Sequence, residues 1–386
     1  MTRTAYQAPK ILSPDGFVSD QVLVVENGLV AGFEKADQLS SDTELLTFKD
    51  GFLIPGFMDL QNNGGGGVLF NDAPTVETIR TIADAHRRFG TTSFLPTLIS
   101  DDLEKIRLAI AAVDQAITEG VPGVVGIHLE GPFLNKVKKG IHDSDKFRTL
   151  TDEDIALLSS LKQGKTLVTL APESADLQLI GALVEAGVRV SAGHTNATYE
   201  QTMAAIVAGL SGFTHLFNAM TPMESRAPGA VGAAFDTDDT WVGLIADGFH
   251  VHPATLRQAI KLKGIHRSML VTDAMPTVGS QEKEFWLGGE HIIAKDGKCT
   301  NKEGVLAGSD LDMAAAVKYA VDEVGVTFRE AITMATLTPA EYMGLDKDYG
   351  SLAVGKKADF LLMDEDYQIR KVWINGQHMN VQEHKS

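Results

Sequence analysis

The sequence predicts an α/β fold: a (β/α)8 TIM-like barrel carrying a small β-sandwich domain formed by both chain termini. Three observations predict it. Eight short apolar or β-branched runs alternate with helix-like stretches through the middle of the chain, as a parallel barrel requires. The two ends instead carry short paired runs broken by turn residues. No GxGxxG follows the first central run, which sets an open doubly wound sheet behind the barrel.

In chain order, Val22 to Val25 and Leu29 to Phe33 flank Glu26-Asn27-Gly28, a hairpin turn. Near the far end, Asp359 to Met363 and Val372 to Ile374 repeat the pattern, with Asn375-Gly376 as another turn. The expected division is therefore residues 1–50 plus 350–386 for the β domain and 51–349 for the barrel. Barrel strands are expected at Phe52 to Gln61, Thr92 to Leu98, Val124 to Glu130 and Thr166 to Ala171. Four more are expected at Val188 to Gly193, Gly212 to Phe217, Trp241 to Ala246 and Ser268 to Thr272. Helices are expected at Val76 to Phe89, Leu103 to Ile117, Ala175 to Ala186, Tyr199 to Ala208, Pro253 to Leu262 and Leu311 to Val324. Thr151-Asp152-Glu153-Asp154 adds a helix start, with Thr151 as cap and acids at the positive helix end. Gly279 to Glu303 reads as a hairpin excursion after the eighth strand.

A chain of 386 residues, 44% hydrophobic and 22% charged, can bury a large core. Its net charge of −17 argues against a nucleic-acid partner held by a basic field. A single cysteine, Cys299, suits a reducing compartment. No apolar run approaches membrane-spanning length, and the start lacks a signal-peptide core, so a cytoplasmic protein with no membrane partner is expected.

The chemistry gathers at strand ends. Glu130 closes the third expected strand, His194 the fifth and Asp273 the eighth; His215 falls in the sixth and His250 follows the seventh. A closed barrel brings these ends to one rim. Glu130, His194 and His215 form a three-ligand set for one divalent metal that keeps a position open for water. Such an ion lowers the pKa of water from about 15.7 toward about 7. Asp273 is then the general base, and the proton it takes goes to a leaving amine. His128, two residues before Glu130, lies one layer deeper and reads as packing or support. His86, His252, His266, His291, His378 and His384 read as structural, Cys299 as inert, and Lys136, Lys138 and Lys139 as a solvated loop.

Several segments carry a resemblance in their joint order. They are Pro55 to Asp59, His128 to Phe133, Lys139 to His142, Ala192 to Thr195, Thr214 to Met220, Ala246 to His250, Val271 to Ala274 and Leu306 to Ser309. Together they resemble the amidohydrolase superfamily and, within it, the N-acetylglucosamine-6-phosphate deacetylase family. Most superfamily members carry His-x-His at the end of the first strand; this chain has Gln61-Asn62-Asn63. Neutral amides bind a divalent ion more weakly than imidazole, so the resemblance implies one metal per subunit. Zinc is expected, and iron, cobalt or nickel share its donors. Gln61 and Asn63 are expected behind the ligands, orienting them.

The resemblance further implies hydrolysis of the N-acetyl group of N-acetylglucosamine 6-phosphate, a small phosphorylated amino sugar, to glucosamine 6-phosphate and acetate. Asp273 and His250 are the expected catalytic pair, His250 polarising the carbonyl. Ile141, His142, Asn218, Ala219, Arg226, Asp247 and His250 are the expected substrate contacts, with Leu306, Ala307 and Gly308 as the wall on the acetyl methyl. Arg226 is expected to grip phosphate, reaching the neighbouring subunit of a homodimer. The alternatives are another N-acetylhexosamine 6-phosphate such as the galactosamine sugar, a different amide or ester, and a non-catalytic scaffold. The excursion at Gly279 to Glu303 reads as decoration or as a lid.

Overall fold

A computed structural model describes residues 3–380. Residues 381–386, including His384 and the end of the expected β domain, lie outside them. Eight parallel strands form one sheet in strict chain order: Phe57–Asn62, Thr91–Ile99, Gly126–Glu130, Lys165–Leu170, Arg189–Ala192, Gly212–Phe213, Trp241–Ile245 and Ser268–Val271. The first and last meet just beyond their ends, where Asn62 bridges Ala274. There the Asp273 amide donates to the Gln61 carbonyl at 2.9 Å and the Asn63 amide to the Ala274 carbonyl at 3.0 Å. The barrel is thus closed as expected, with helices outside it. Helix Val76–Arg87 shows how they dock: Thr75 caps it by accepting from the Thr78 amide, and Ile79, Ile82 and Ala83 are buried against the strands.

Two expected strands are corrected. Phe52 to Gln61 is two strands, because Phe52–Pro55 pairs with Lys10–Ser13 and Phe360–Met363 while Phe57–Asn62 enters the barrel. Gly56 sits at the break, where a Cβ would stand 2.0 Å from Thr92 Oγ1, so only glycine lets the chain pass. The sixth strand ends at Phe213, and His215 lies beyond it in a left-handed turn, not within it. Helices at Gly229–Phe235, Phe328–Ala335 and Leu337–Met343 were not expected from the sequence.

The terminal strands form two facing sheets. One orders Leu29–Glu34, Val22–Glu26, Arg3–Gln7 and Glu44–Thr47. The other orders Gln377–Met379, Ile369–Ile374, Phe360–Met363, Phe52–Pro55, Lys10–Ser13 and Gly16–Val18. Their shared core is aromatic: Phe360 stacks on Trp373 at 4.6 Å, and Tyr6 sets its edge against both. Both expected turns form, with Asn27 and Gly28 at φ 52° and 81° and Asn375 and Gly376 at 50° and 72°. A Cβ at Gly28 would stand 2.8 Å from the Asn375 carbonyl oxygen, so the two hairpin tips touch.

The excursion after the eighth strand is a three-stranded antiparallel sheet, Glu284–Leu287, Glu290–Lys295 and Lys298–Thr300. Its buried face (Leu287, Ile292, Ala294, Cys299) packs on Leu69, Ile99 and Met275, residues at the rim where the barrel strands end. Among the described residues no helix is long and apolar enough to cross a membrane.

Candidate metal centre and substrate pocket

Each functional side chain is delivered by a strand end. Glu130 is the last residue of the third strand. His194, His215 and Asp273 each lie two residues past a strand, at φ 47°, 36° and 52°. This left-handed backbone is costly for residues with a Cβ, and neighbours on both sides hold it. His194 accepts at its carbonyl from the Asn135 amide, and the next amide, Thr195, donates to Ala219, both at 3.0 Å. Thr214 and Leu216 donate to Ala192 and Gly243 on either side of His215. Asp273 donates to Gln61 and accepts from Ser309, each at 2.9 Å.

The three expected ligands converge. Glu130 Oε1 lies 2.9 Å from His215 Nε2 and 3.2 Å from His194 Nε2, and the two ring nitrogens are 3.1 Å apart. Ligands at about 2.0–2.1 Å in a tetrahedron have edges of about 3.3 Å, so the triangle is the size one ion needs. His194 Nδ1 contacts the Lys138 carbonyl at 2.8 Å and must donate to it, which leaves Nε2 a lone pair aimed at the cluster. Two nitrogen donors and a carboxylate, all buried, fit a divalent cation. Among the described residues this is the one such group, a single site for a divalent metal. Burial raises the Glu130 carboxyl, but the His194 and His215 rings against it hold it well below the usual carboxylate range. Burial opposes charge on His215, and Glu130 overcomes that to raise it.

Asp273 stands beside this triangle. Its Oδ1 accepts from Asn63 Nδ2 at 2.7 Å and from Gln61 Nε2 at 3.2 Å, and the same Gln61 nitrogen lies 3.1 Å from Glu130 Oε2. Gln61 therefore links a metal ligand to the expected base, and the Gln61 and Asn63 amides both sit behind carboxylates. Burial pushes the Asp273 carboxyl up to about 6, with Glu130 adding and the His215 and His250 rings opposing. A divalent cation in the triangle acts in the direction of those rings.

A cavity of about 390 Å³ opens over these groups. His142, His250, Asn218 and Ala219 line it, and so do Ile141, Leu306 and Gly308. Ala307 is buried behind that wall, its amide donating to Cys299. His142 Nδ1 pairs with Ser100 Oγ at 2.8 Å; burial, then His194, holds its pKa well below the ordinary imidazole value, so the ring is neutral. Asp247 does not line the cavity. Its Oδ2 accepts from His250 Nδ1 at 2.6 Å and its Oδ1 from the His250 and Phe249 amides, so it fixes that ring. Arg226 is exposed and also lies off the cavity wall. His128 supports from below, between Thr97 and Thr169, and burial lowers it to about 4.

Glu173, just past the fourth strand, carries no motif in the sequence. Its carboxylate accepts from Asn135 Nδ2 at 2.9 Å, the Asn196 amide at 2.5 Å and Thr195 Oγ1 at 2.5 Å. Asn135 in turn caps the turn Lys136–Lys138 whose last carbonyl holds His194. Glu173→Gln replaces one acceptor oxygen by a donor and is expected to weaken metal binding about tenfold. Chelator competition checks this; affinity equal to wild type would show that the loop orients His194 without Glu173.

Fold and site together define a metal-dependent hydrolase on a (β/α)8 barrel. The chain belongs to the amidohydrolase family, whose model matches residues 52–379, and within it to the N-acetylhexosamine-6-phosphate deacetylases. It is 42% identical to the N-acetylgalactosamine-6-phosphate deacetylase of Shewanella sp. (strain ANA-3), over 95% of this chain and 94% of that one. It is 37% identical to the protein of the same name from Escherichia coli O157:H7, over 96% and 98%. The crystal structure of N-acetylglucosamine-6-phosphate deacetylase from Pasteurella multocida superposes with a TM-score of 0.94 at 34% identity, covering 98% of this chain and 99% of that one.

Proposed function

We propose that this chain hydrolyses the N-acetyl amide of an N-acetylhexosamine 6-phosphate, with the galactosamine sugar as its preferred substrate, releasing acetate and the amino sugar 6-phosphate. The observation that carries the reading is Asp273, a buried carboxylate tied through Gln61 to the Glu130–His194–His215 triangle on one wall of a cavity. Glu130, His194 and His215 would hold a divalent ion there, zinc by donor type with iron, cobalt or nickel as substitutes, which would polarise a carbonyl and acidify water for attack at neutral pH. Asp273 takes the proton from the attacking water and returns it to the departing sugar amine. Asn63 and Gln61 keep its carboxylate aimed during both transfers. With a proton on each ring nitrogen, His250 donates from Nδ1 to Asp247 and from Nε2 to the amide oxygen. His142 and Asn218 contact the sugar with the Ala219 backbone, while Ile141 packs on it. Leu306 and Gly308, backed by Ala307, close on the acetyl methyl. Arg226, exposed and with no ion pair among the described residues, serves the phosphate site of a second copy, which makes the working unit a homodimer. The buried, unpaired Cys299 suits a cytoplasmic setting.

The sugar preference is supported by the relatives at 42% and 37% identity, both named for the galactosamine substrate. The glucosamine reading first suggested by the sequence motifs stands as the second, supported by the fold match at a TM-score of 0.94. Acetate release from the two sugar phosphates decides between them. The galactosamine form is expected to give a kcat/KM about tenfold higher or more, since the sugars differ by the placement of one hydroxyl. The reverse ratio would select the glucosamine reading, and no acetate from either by metal-loaded protein would remove the proposal.

A further inference from the structure

We infer that Lys298 is the phosphate-gripping residue that each chain supplies to its own pocket. The assignment rests on the phosphorylated amino-sugar reading above and adds to it a residue from outside the barrel. Among the residues lining the cavity, Lys298 alone carries a permanent positive charge; the other basic groups there are histidines. The same lining includes two carboxylates, Glu130 and Asp273, in a chain of net charge −17. An anionic ligand entering that field needs a compensating cation on the wall. Arg226 is not on it.

The surrounding fold aims Lys298 at that task. It opens the last strand of the three-stranded sheet, directly after the turn made by Asp296 and Gly297 at φ 53° and 81°. A Cβ on Gly297 would stand 3.4 Å from the Phe249 ring, so the turn leans on the residue before His250. Side chains alternate along a strand, and Cys299 is the one fully buried in the apolar cluster under the sheet. Lys298 therefore faces away from that cluster, half-buried. Lys295, paired with Lys298 across the hairpin, does not line the cavity, and of the other lysines Lys283 pairs with Asp310 at 3.0 Å and Lys146 is held by Asp102. Lys298 has no side-chain partner among the described residues, and a flexible ammonium reaches phosphate with little demand on angle.

The test compares Lys298→Met and Lys298→Arg with wild type on an N-acetylhexosamine 6-phosphate and on the same sugar without phosphate, with inorganic phosphate as a competing inhibitor. Lys298→Met is expected to raise KM for the phosphorylated sugar about 10- to 100-fold with kcat nearly unchanged. It should weaken phosphate inhibition in parallel and leave the unphosphorylated sugar untouched, while Lys298→Arg recovers most of the loss. Equal losses on both sugars, or no loss on either, would overturn the assignment. A wild type that favours the phosphorylated sugar while Lys298→Met keeps that preference overturns Lys298 alone. A wild type with no preference overturns the phosphate reading and this inference together.

Discussion

Asp273→Asn is expected to lower kcat/KM by about 10²- to 10⁴-fold, the range of a lost general base, with the metal retained. The substitution keeps the shape of the side chain, and an amide oxygen can still accept from Asn63, which now donates at 2.7 Å. What disappears is the capacity to take a proton from water. The metal stays because its three ligands are other residues. The pH profile carries an independent signature. Asp273 must be ionised to act, so kcat/KM falls as pH drops through its pKa. Burial puts that value at about 6, and the bound cation moves it lower, so the acid limb lies at or below about pH 6. In the variant the limb should vanish. Acetate-release kinetics and metal analysis on one preparation test both points; activity within tenfold of wild type would assign the base elsewhere.

Glu130→Gln is expected to strip the site of its ion and end turnover. Glu130 Oε1 faces both imidazoles while Oε2 accepts from Gln61 Nε2 at 3.1 Å. A glutamine has only one oxygen to share between these two sides. Turned toward the imidazoles, it sets its own NH2 against that of Gln61; turned the other way, it points a donor into the metal position. It also removes the one negative charge that the ligand set offers a dication. Changing a group that merely supports a ligand costs about 10- to 100-fold in affinity, so changing the ligand costs at least about 100-fold. Metal content after dialysis against a chelator reads this directly. A variant that kept its ion and its activity would exclude Glu130 from the centre.

How far the sequence could be read depends on what each signal is made of. The eight barrel strands stand out because buried strands are continuous β-branched runs, and their ends locate Glu130, His194 and Asp273 on one rim. The left-handed turns at His194, His215 and Asp273 do not, since histidine and aspartate carry no mark of positive φ as glycine would. The apolar run around His215 therefore reads as strand, although the strand stops before it. Helix Gly229–Phe235 hides because glycine and alanine give no apolar period. Helix Phe328–Ala335 has a legible start, the reciprocal pairing of Thr327 and Glu330. Glu173 is a third kind: its partners Asn135 and Asn196 lie 38 and 23 residues away, and only folding brings them together.

The six-stranded terminal sheet has a consequence for how the protein is made. Phe52–Pro55, the strand feeding the barrel, sits between Lys10–Ser13 and Phe360–Met363. As the polypeptide leaves the ribosome, the first of those partners is already there, and the second arrives only after the whole barrel has emerged. Until then that strand shows one unpaired edge, and the sheet is stitched shut only once the barrel has been made.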